Sequence, residues 1–282
     1  MAVDNTFVIK KLQELDEFFT VYSMGTRLPY VYCDPETFDD QIFLFASEED
    51  AKKFIVEKLQ QKIQLQLTKV PKDSMMMFYT NLHLIGVNCL VFTLNGMSTP
   101  LPIEKVVVVP NLAQEAGKPP KANPTLMLTM IYYLQELRSV VSREKRDDEA
   151  YTARLREMEQ EVIMNLSRSN FILLMDVSDV EEGKDLRSQA DKIKFPYLKD
   201  KQGKVLQPVF TDLFEFQKFA STLKGKINLL TVTFDKLEKS MLRSAAGYAL
   251  NPGSINMIIS RDKLKLMYEM TADENQSGNG EA

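Results

Sequence analysis

The feature that most constrains how this chain can fold is a repeat. Leu44-Phe45-Ala46-Ser47-Glu48-Glu49-Asp50-Ala51-Lys52-Lys53-Phe54 lines up with Val209-Phe210-Thr211-Asp212-Leu213-Phe214-Glu215-Phe216-Gln217-Lys218-Phe219 at an offset of 219 − 54 = 165 positions. In each segment an apolar strand end meets an N-capping residue, Ser47 or Asp212, and an amphipathic helix follows with an acid in its first turn. Downstream, Gly86-Val87-Asn88-Cys89 falls against Ala249-Leu250-Asn251-Pro252 at 249 − 86 = 163, and upstream Leu28 falls against Phe171 at 171 − 28 = 143. The difference, 165 − 143 = 22 residues, predicts an insertion in the second half between about Val177 and Gln202. Duplication of a helix-led α/β unit accounts for the pattern, and a chain of 282 residues, 44% of them hydrophobic, can bury two cores.

Taken in order, residues 5 to 24 space Phe7, Leu12, Leu15, Phe18, Phe19 and Tyr22 as one helical face that Gly25 ends. Strands are expected at 28–33, 41–45, 63–70, 87–94 and 104–109, with helices from Ser47 and over 71–85 and a turn at Asn95-Gly96. Residues 110–124, with Pro110, Gly117, Pro119, Pro120 and Pro124, read as an exposed linker that opens a strongly apolar helix through Leu126, Met130, Leu134 and Leu137. The charged run 143–149 breaks that pattern, and a second helix resumes with Leu155, Met158, Val162 and Leu166. From Asn170 the order returns: strand 171–175, a polar excursion, strand 205–210, helix 212–223, strand 227–233 and helix 235–243. Gly247 to Leu264 then reads as two short strands round the turn Asn251-Pro252-Gly253, with Gly253 expected at positive φ, and Ser260 capping a further helix. The expected division is 1–109, a linker and connecting helix over 110–149, a second domain over 150–270, and a disordered tail over 271–282.

The second half, over about residues 150 to 270, resembles the N-terminal domain of the SseB family, named after the enhanced serine sensitivity protein of bacteria. The likeness rests on the strand Phe171 to Met175, on Gln207-Pro208-Val209-Phe210-Thr211-Asp212 leading into Phe216-Gln217-Lys218-Phe219, and on Ala249-Leu250-Asn251-Pro252-Gly253 before the strand 256–259. The first half looks like a diverged copy, with Phe43-Leu44-Phe45-Ala46 in place of Pro-Val-Phe-Thr and no Pro-Gly after Asn88. The resemblance implies a tandem of α+β domains, each a mixed sheet packed with helices, in a bacterial cytoplasmic protein, and it brings no catalytic residues with it.

Charge and composition narrow the function classes. With 35 basic and 39 acidic residues the formal charge is −4, which argues against nucleic acid as the main partner. The two cysteines, Cys33 and Cys89, are too few for a disulfide framework, so a reducing cytoplasmic setting is expected. Each lies in an apolar strand context, where a thiol behaves as a small core residue. The apolar runs at 106–109 and 227–232 are strand-sized, well short of the roughly 20 residues of a membrane span.

Candidate chemistry is sparse. His83 is the sole histidine, so no His-based metal cluster and no Ser-His-Asp set is available. No glycine-rich phosphate loop follows a strand, and no cofactor is expected. Asp176, Asp179, Glu181, Glu182 and Asp185 miss the calcium-loop spacing and read as a solvated insertion. Lysines 192, 194, 199, 201 and 204 with Phe195 and Tyr197 fit an edge hairpin turning at Asp200-Lys201-Gln202-Gly203 better than a single-strand nucleic-acid surface. Met75, Met76 and Met77 on the 71–85 helix read as core filling. The expected function is a non-enzymatic module for a protein or peptide partner, with Asn251, Pro252, Gly253, Phe195 and Tyr197 as the candidate surface and a homo-oligomer left open. The alternative is an enzyme or small-ligand sensor using a cleft between the repeats.

Overall fold

The computed structural model describes residues 5–108, 118–181, 183 and 185–277. Of these, 5–108 with 124–162 form one compact unit, and 118–123 with 163–277 form another. The first contains α1 (Thr6–Glu14), β1 (Glu17–Ser23), β2 (Tyr32–Cys33), β3 (Asp40–Phe45), α2 (Glu48–Gln60), β4 (Leu65–Pro71), α3 (Lys72–Leu84), β5 (Cys89–Leu94), β6 (Met97–Pro102), α4 (Ile103–Val106), α5 (Pro124–Leu137), α6 (Val140–Glu144) and most of α7 (Glu149–Ser167). The second contains the end of α7, β7 (Asn170–Asp176), a 3-10 turn over 186–192, β8 (Leu198–Lys199), β9 (Val205–Phe210), α8 (Leu213–Ala220), β10 (Ile227–Thr233), α9 (Leu237–Ser240), β11 (Gly247–Leu250), β12 (Met257–Ser260) and α10 (Arg261–Ser277).

The two sheets have one topology. The first runs β4-β1-β3-β5-β6 with β2 on β3, and the second runs β10-β7-β9-β11-β12 with β8 on β9. β3 and β5 are parallel, as are β9 and β11, and the other neighbours are antiparallel. Phe19 faces Phe45 as Ile172 faces Phe210, and the bridge Tyr22–Pro29 has its counterpart in Asp176–Lys194, one place further along β7. Each unit is therefore a mixed sheet packed with helices, the α+β class expected from the sequence.

The cores repeat as well. In the first unit Phe19, Val21, Phe45, Phe54, Leu65 and Leu67 share a cluster on the α2 side of the sheet. In the second, Ile172, Leu174, Phe210, Phe219, Ile227 and Leu229 do the same on the α8 side. Burying one such Phe or Leu removes apolar surface worth about 2–3 kcal/mol, so the cluster explains why these positions stay apolar in both copies.

Register corrects two offsets. β1 is the counterpart of β7, at 172 − 19 = 153 rather than 143, and β2 is the counterpart of β8, at 198 − 32 = 166, so the insertion between β7 and β8 is 166 − 153 = 13 residues, not 22. β5 matches β11 at 250 − 92 = 158, because Phe92 pairs with Leu44 as Leu250 pairs with Val209. Asn251 thus corresponds to Thr93, and the likeness of Asn88 to Asn251 is coincidental.

Other elements differ from expectation for local reasons. Residues 5–24 are not one helix: α1 stops at Glu14, and Glu17–Ser23 is a strand of aromatic and β-branched residues. The 28–33 strand shrinks to Tyr32–Cys33. Val106 ends a short helix rather than belonging to a strand, and the strand lies earlier, at Met97–Pro102. Helix α10 carries on through 271–277, part of the expected disordered tail, while 278–282, residue 109 and the expected linker from 110 to 117 lie outside the described residues.

Helix α5 is part of the first unit. Gln135 uses its amide to bond both backbone groups of Val31, at 3.1 and 2.9 Å, Tyr132 donates to Asp40 at 2.7 Å, and Arg138 donates to the Gly25 carbonyl at 3.3 Å. Gly86 lies so close beneath α5 that a Cβ there would come within 3.0 Å of the Pro124 carbonyl oxygen.

Candidate functional site

The turn after β11 is locked to the start of α8. Asn251 has no exposed surface and a φ of 49°. Its Oδ1 accepts the Thr211 N–H at 3.0 Å and its Nδ2 donates to the Thr211 hydroxyl at 2.9 Å. That hydroxyl donates to Asp212 Oδ2 at 2.6 Å, and Asp212 Oδ1 caps α8 by accepting the Glu215 N–H at 3.0 Å. Glu215, 2% exposed, accepts from the Lys218 ammonium and the Ser254 hydroxyl. Every oxygen of these two carboxylates therefore has a protein partner, and the network holds the chain in place. In the first unit the same join is made differently: the Ala46 N–H bonds the Thr93 carbonyl, and Ser47 caps α2 by accepting from the Asp50 N–H at 3.2 Å.

The positive φ expected at Gly253 belongs instead to Asn251 and Asn256. Gly253 is needed for space, since a Cβ would lie 3.1 Å from the Lys218 carbonyl carbon. Pro252 is half-buried and Gly253 exposed; Phe195 is half-buried and Tyr197 is exposed, just before β8. With Asn251 fully buried, these five residues do not form one accessible patch. The hairpin turn at Asp200–Gly203 does form, with Asp200 Oδ1 accepting from the backbone of Gln202 and Lys204 and Gly203 at a φ of 79°. In the insertion, Lys192 pairs with Glu181 and Lys194 with Asp179. Met75 is buried as core, while Met76 and Met77 face solvent.

Burial pushes the Asp212 carboxyl up to about 6, although the Thr211 hydroxyl and the Glu215 N–H both work the other way. Between about pH 4 and pH 6 the folded unit holds a proton that the unfolded chain has released, so stability falls as pH rises through that window. Asp212→Asn keeps an oxygen to cap α8 and removes the titration. Urea melts of both proteins from pH 4 to 7 should show the slope flattened in the variant, by about 2 kcal/mol across the window. An unchanged slope would assign the pH dependence to another group.

Two further features escaped the sequence reading. One is the outer edge of the second sheet. Among the described residues β10 pairs with β7 alone, so every second N–H and C=O along Ile227-Asn228-Leu229-Leu230-Thr231-Val232-Thr233 points away from the sheet. These seven residues include no charge and no proline. The counterpart edge, β4, carries Lys69 and Pro71 where β10 carries Thr231 and Thr233. Lys69 is ion-paired with Glu17, and Pro71 removes a donor. The backbones match: Pro71 has φ −74° and ψ 159°, and Thr233 has φ −80° and ψ 161°.

The other feature is a cavity of about 450 Å³ inside the first unit, walled by the β1 end, β2, the α2–β4 loop, the second half of α5, α6 and the start of α7. Tyr151 donates to Glu136 at 2.6 Å there, and the Lys145 ammonium sits 5.8 Å from the Tyr151 ring centre. Cys33 is exposed nearby, with its thiol pushed up by partial burial and by Asp40, Asp34 and Asp39.

Comparison with known proteins returns little. No family model matches the chain, and no curated protein matches it. Among solved structures it is similar to Anabaena Tic22 (protein transport), at 12% identity over 84% of this chain and 86% of that one with a TM-score of 0.21. It is also similar to Tic22 from Plasmodium falciparum, at 12% identity over 94% and 98% of the two chains with a TM-score of 0.20. At such TM-scores neither likeness carries an argument. Among the described residues no helix is long and apolar enough to cross a membrane.

Proposed function

We propose that this chain is a non-enzymatic, cytoplasmic interaction module, a tandem of SseB-type units, and that it takes an extended segment of a protein partner as an added strand on β10. The observation that supports this reading is the contrast between the two equivalent edges. A lysine and a proline guard β4, as edges that must stay unpaired are guarded, whereas β10 is neutral, proline-free and seven residues long. Main-chain bonds along such an edge supply affinity, and the exposed Leu230 side chain supplies selectivity for an apolar residue opposite it.

The test is to transplant the guard. Thr231→Lys with Thr233→Pro recreates the β4 edge on a backbone that already accepts proline at 233. The melting temperature should stay within about 3 °C of the parent, since surface changes usually cost under 0.5 kcal/mol. In bacterial lysate, proteins captured by the parent chain and identified by mass spectrometry should be lost with this double variant and kept with Tyr197→Ala. Capture that survives the guarded edge would refute strand addition at β10. Light scattering of the purified chains separates a foreign partner from a second copy, because self-pairing would halve in mass on guarding.

A further inference from the structure

The edge at β10 is complementary to itself. The Lys226 carbonyl accepts from the Val177 N–H at 2.8 Å, so the backbone of Lys226 turns toward β7, and at every second residue beyond it so do Asn228, Leu230 and Val232. The N–H and C=O of Ile227, Leu229, Thr231 and Thr233 therefore point outward, 4 × 2 = 8 groups along the edge. These four residues lie symmetrically about Leu230. An antiparallel copy of β10 centred on Leu230 brings Ile227 opposite Thr233 and Leu229 opposite Thr231, since 227 + 233 = 229 + 231 = 460. Each such pair exchanges two bonds, so all the outward groups of both copies are met by 4 × 2 = 8 bonds. That number falls within the roughly 5–15 direct bonds of a typical protein interface. Centring on Leu229 or Thr231 instead takes one outward residue of each copy out of the ladder.

The side chains obey the same symmetry. Leu230, exposed in the single chain, would meet Leu230 of the other copy in a non-hydrogen-bonded pair, the arrangement in which facing side chains approach most closely. The seven residues carry no charge, so no like charges are set opposite one another within the ladder; charge begins outside it, at Lys224 and Lys226 before the strand and Asp235 and Lys236 after it. The outer strands elsewhere are protected: β4 by Lys69 and Pro71, β6 by Pro100 and Pro102, and β12 by a length of four residues. A pairing at β10 is thus isologous and closes at two chains instead of propagating.

We infer that β10 of one chain pairs with β10 of a second copy, antiparallel and centred on Leu230, in a two-fold dimer that joins the second sheets of both chains into one. The inference rests on the reading of β10 as a strand-adding edge, and it names the resting occupant of that edge. A partner segment gains its place by displacing the copy, so capture falls as the concentration of the chain itself rises.

Cross-linking reads the register. Cys33→Ser removes the exposed native thiol and leaves the buried Cys89 in place. In that background Leu230→Cys is placed to link with its own copy, because Cα atoms of a non-hydrogen-bonded pair stand about 4.5 Å apart and a disulfide spans roughly 4.4–6.8 Å. Thr231→Cys is the control: it lies two places out of register with its own copy, about 8 Å away, and should link about tenfold more slowly, or less, under oxidised glutathione. Adding Thr231→Lys and Thr233→Pro to Leu230→Cys should abolish the link, and light scattering of the concentrated parent chain should give twice the mass of one chain. A Thr231→Cys protein that links as fast as Leu230→Cys, or a parent chain that stays single at every concentration, would overturn the dimer. Strand addition answers to a different measurement. Lysate proteins captured by the parent and lost on guarding would uphold it even with the dimer overturned, and capture that ignores the guard would sink it even with the Leu230 link formed.

Discussion

Gly247→Ala is expected to cost the second unit about 3 kcal/mol or more. A Cβ at this position would stand 2.3 Å from the Ile259 carbonyl oxygen and 2.8 Å from the Ser260 Cα. Both atoms are backbone in the neighbouring strand, so no side chain can swing aside. Retreat is blocked too, because β11 is laddered on its other face, with Gly247 opposite Leu206 and Ser260 on its two sides. The cost is steric, since Gly247 does not have a positive φ. Gly203→Ala supplies the contrast: its φ is 79° with open space around it, and it should cost only about 1 kcal/mol. Urea denaturation followed by circular dichroism would rank the two, and a Gly247→Ala protein melting like its parent would mean the β11–β12 ladder can spread.

Asn251→Ala should have the next largest effect, about 3 kcal/mol, in the same measurement. Alanine leaves the buried Thr211 N–H without its acceptor and must itself hold a φ of 49°. Asn251→Gly relieves the backbone but not the lost bond, so it should recover about 1 kcal/mol of the loss. A turn with Gly253 at the positive φ expected from the sequence would make Gly253→Val the costlier change and Asn251→Ala the milder one; the positive φ and full burial of Asn251 reverse that order. A near-neutral Asn251→Ala would restore that reading and reopen the turn as a recognition site.

The repeat was legible where side chains and backbone agree. Ser47 and Asp212 cap helices, Phe54 and Phe219 fill the same corner, and the 165-residue offset holds through β3 and α2 into their counterparts. It failed upstream because β1 is buried on both faces, with Phe18, Thr20, Val21 and Ser23 all inside. A two-sided strand next to α1 imitates the three- and four-residue spacing of one long helix. Downstream, the matching Asn88 and Asn251 drew the alignment five places off, since 163 − 158 = 5. Of the candidate site, the hairpin at Asp200–Gly203 could be read locally. The cavity could not, because Lys62, Arg138 and Arg154 come from three distant stretches that meet only in the fold. The edge at β10 was seen as an apolar run, but its exposure depends on strand order, which no local pattern encodes.

The placement of α5 has a consequence for synthesis. Strand β6, the last of the first sheet, ends at Pro102, but the helices that complete that unit run on to residue 162, past a segment that belongs to the second unit. The ribosome must add 162 − 102 = 60 residues before the unit can close, a delay of roughly 3–12 s at common elongation rates. Through that interval the Val31 backbone groups and the floor beneath Gly86 wait uncovered, and the nascent chain holds a complete sheet without its lid. The copies are not two successive stretches of sequence: each is finished only after the thread has visited the other.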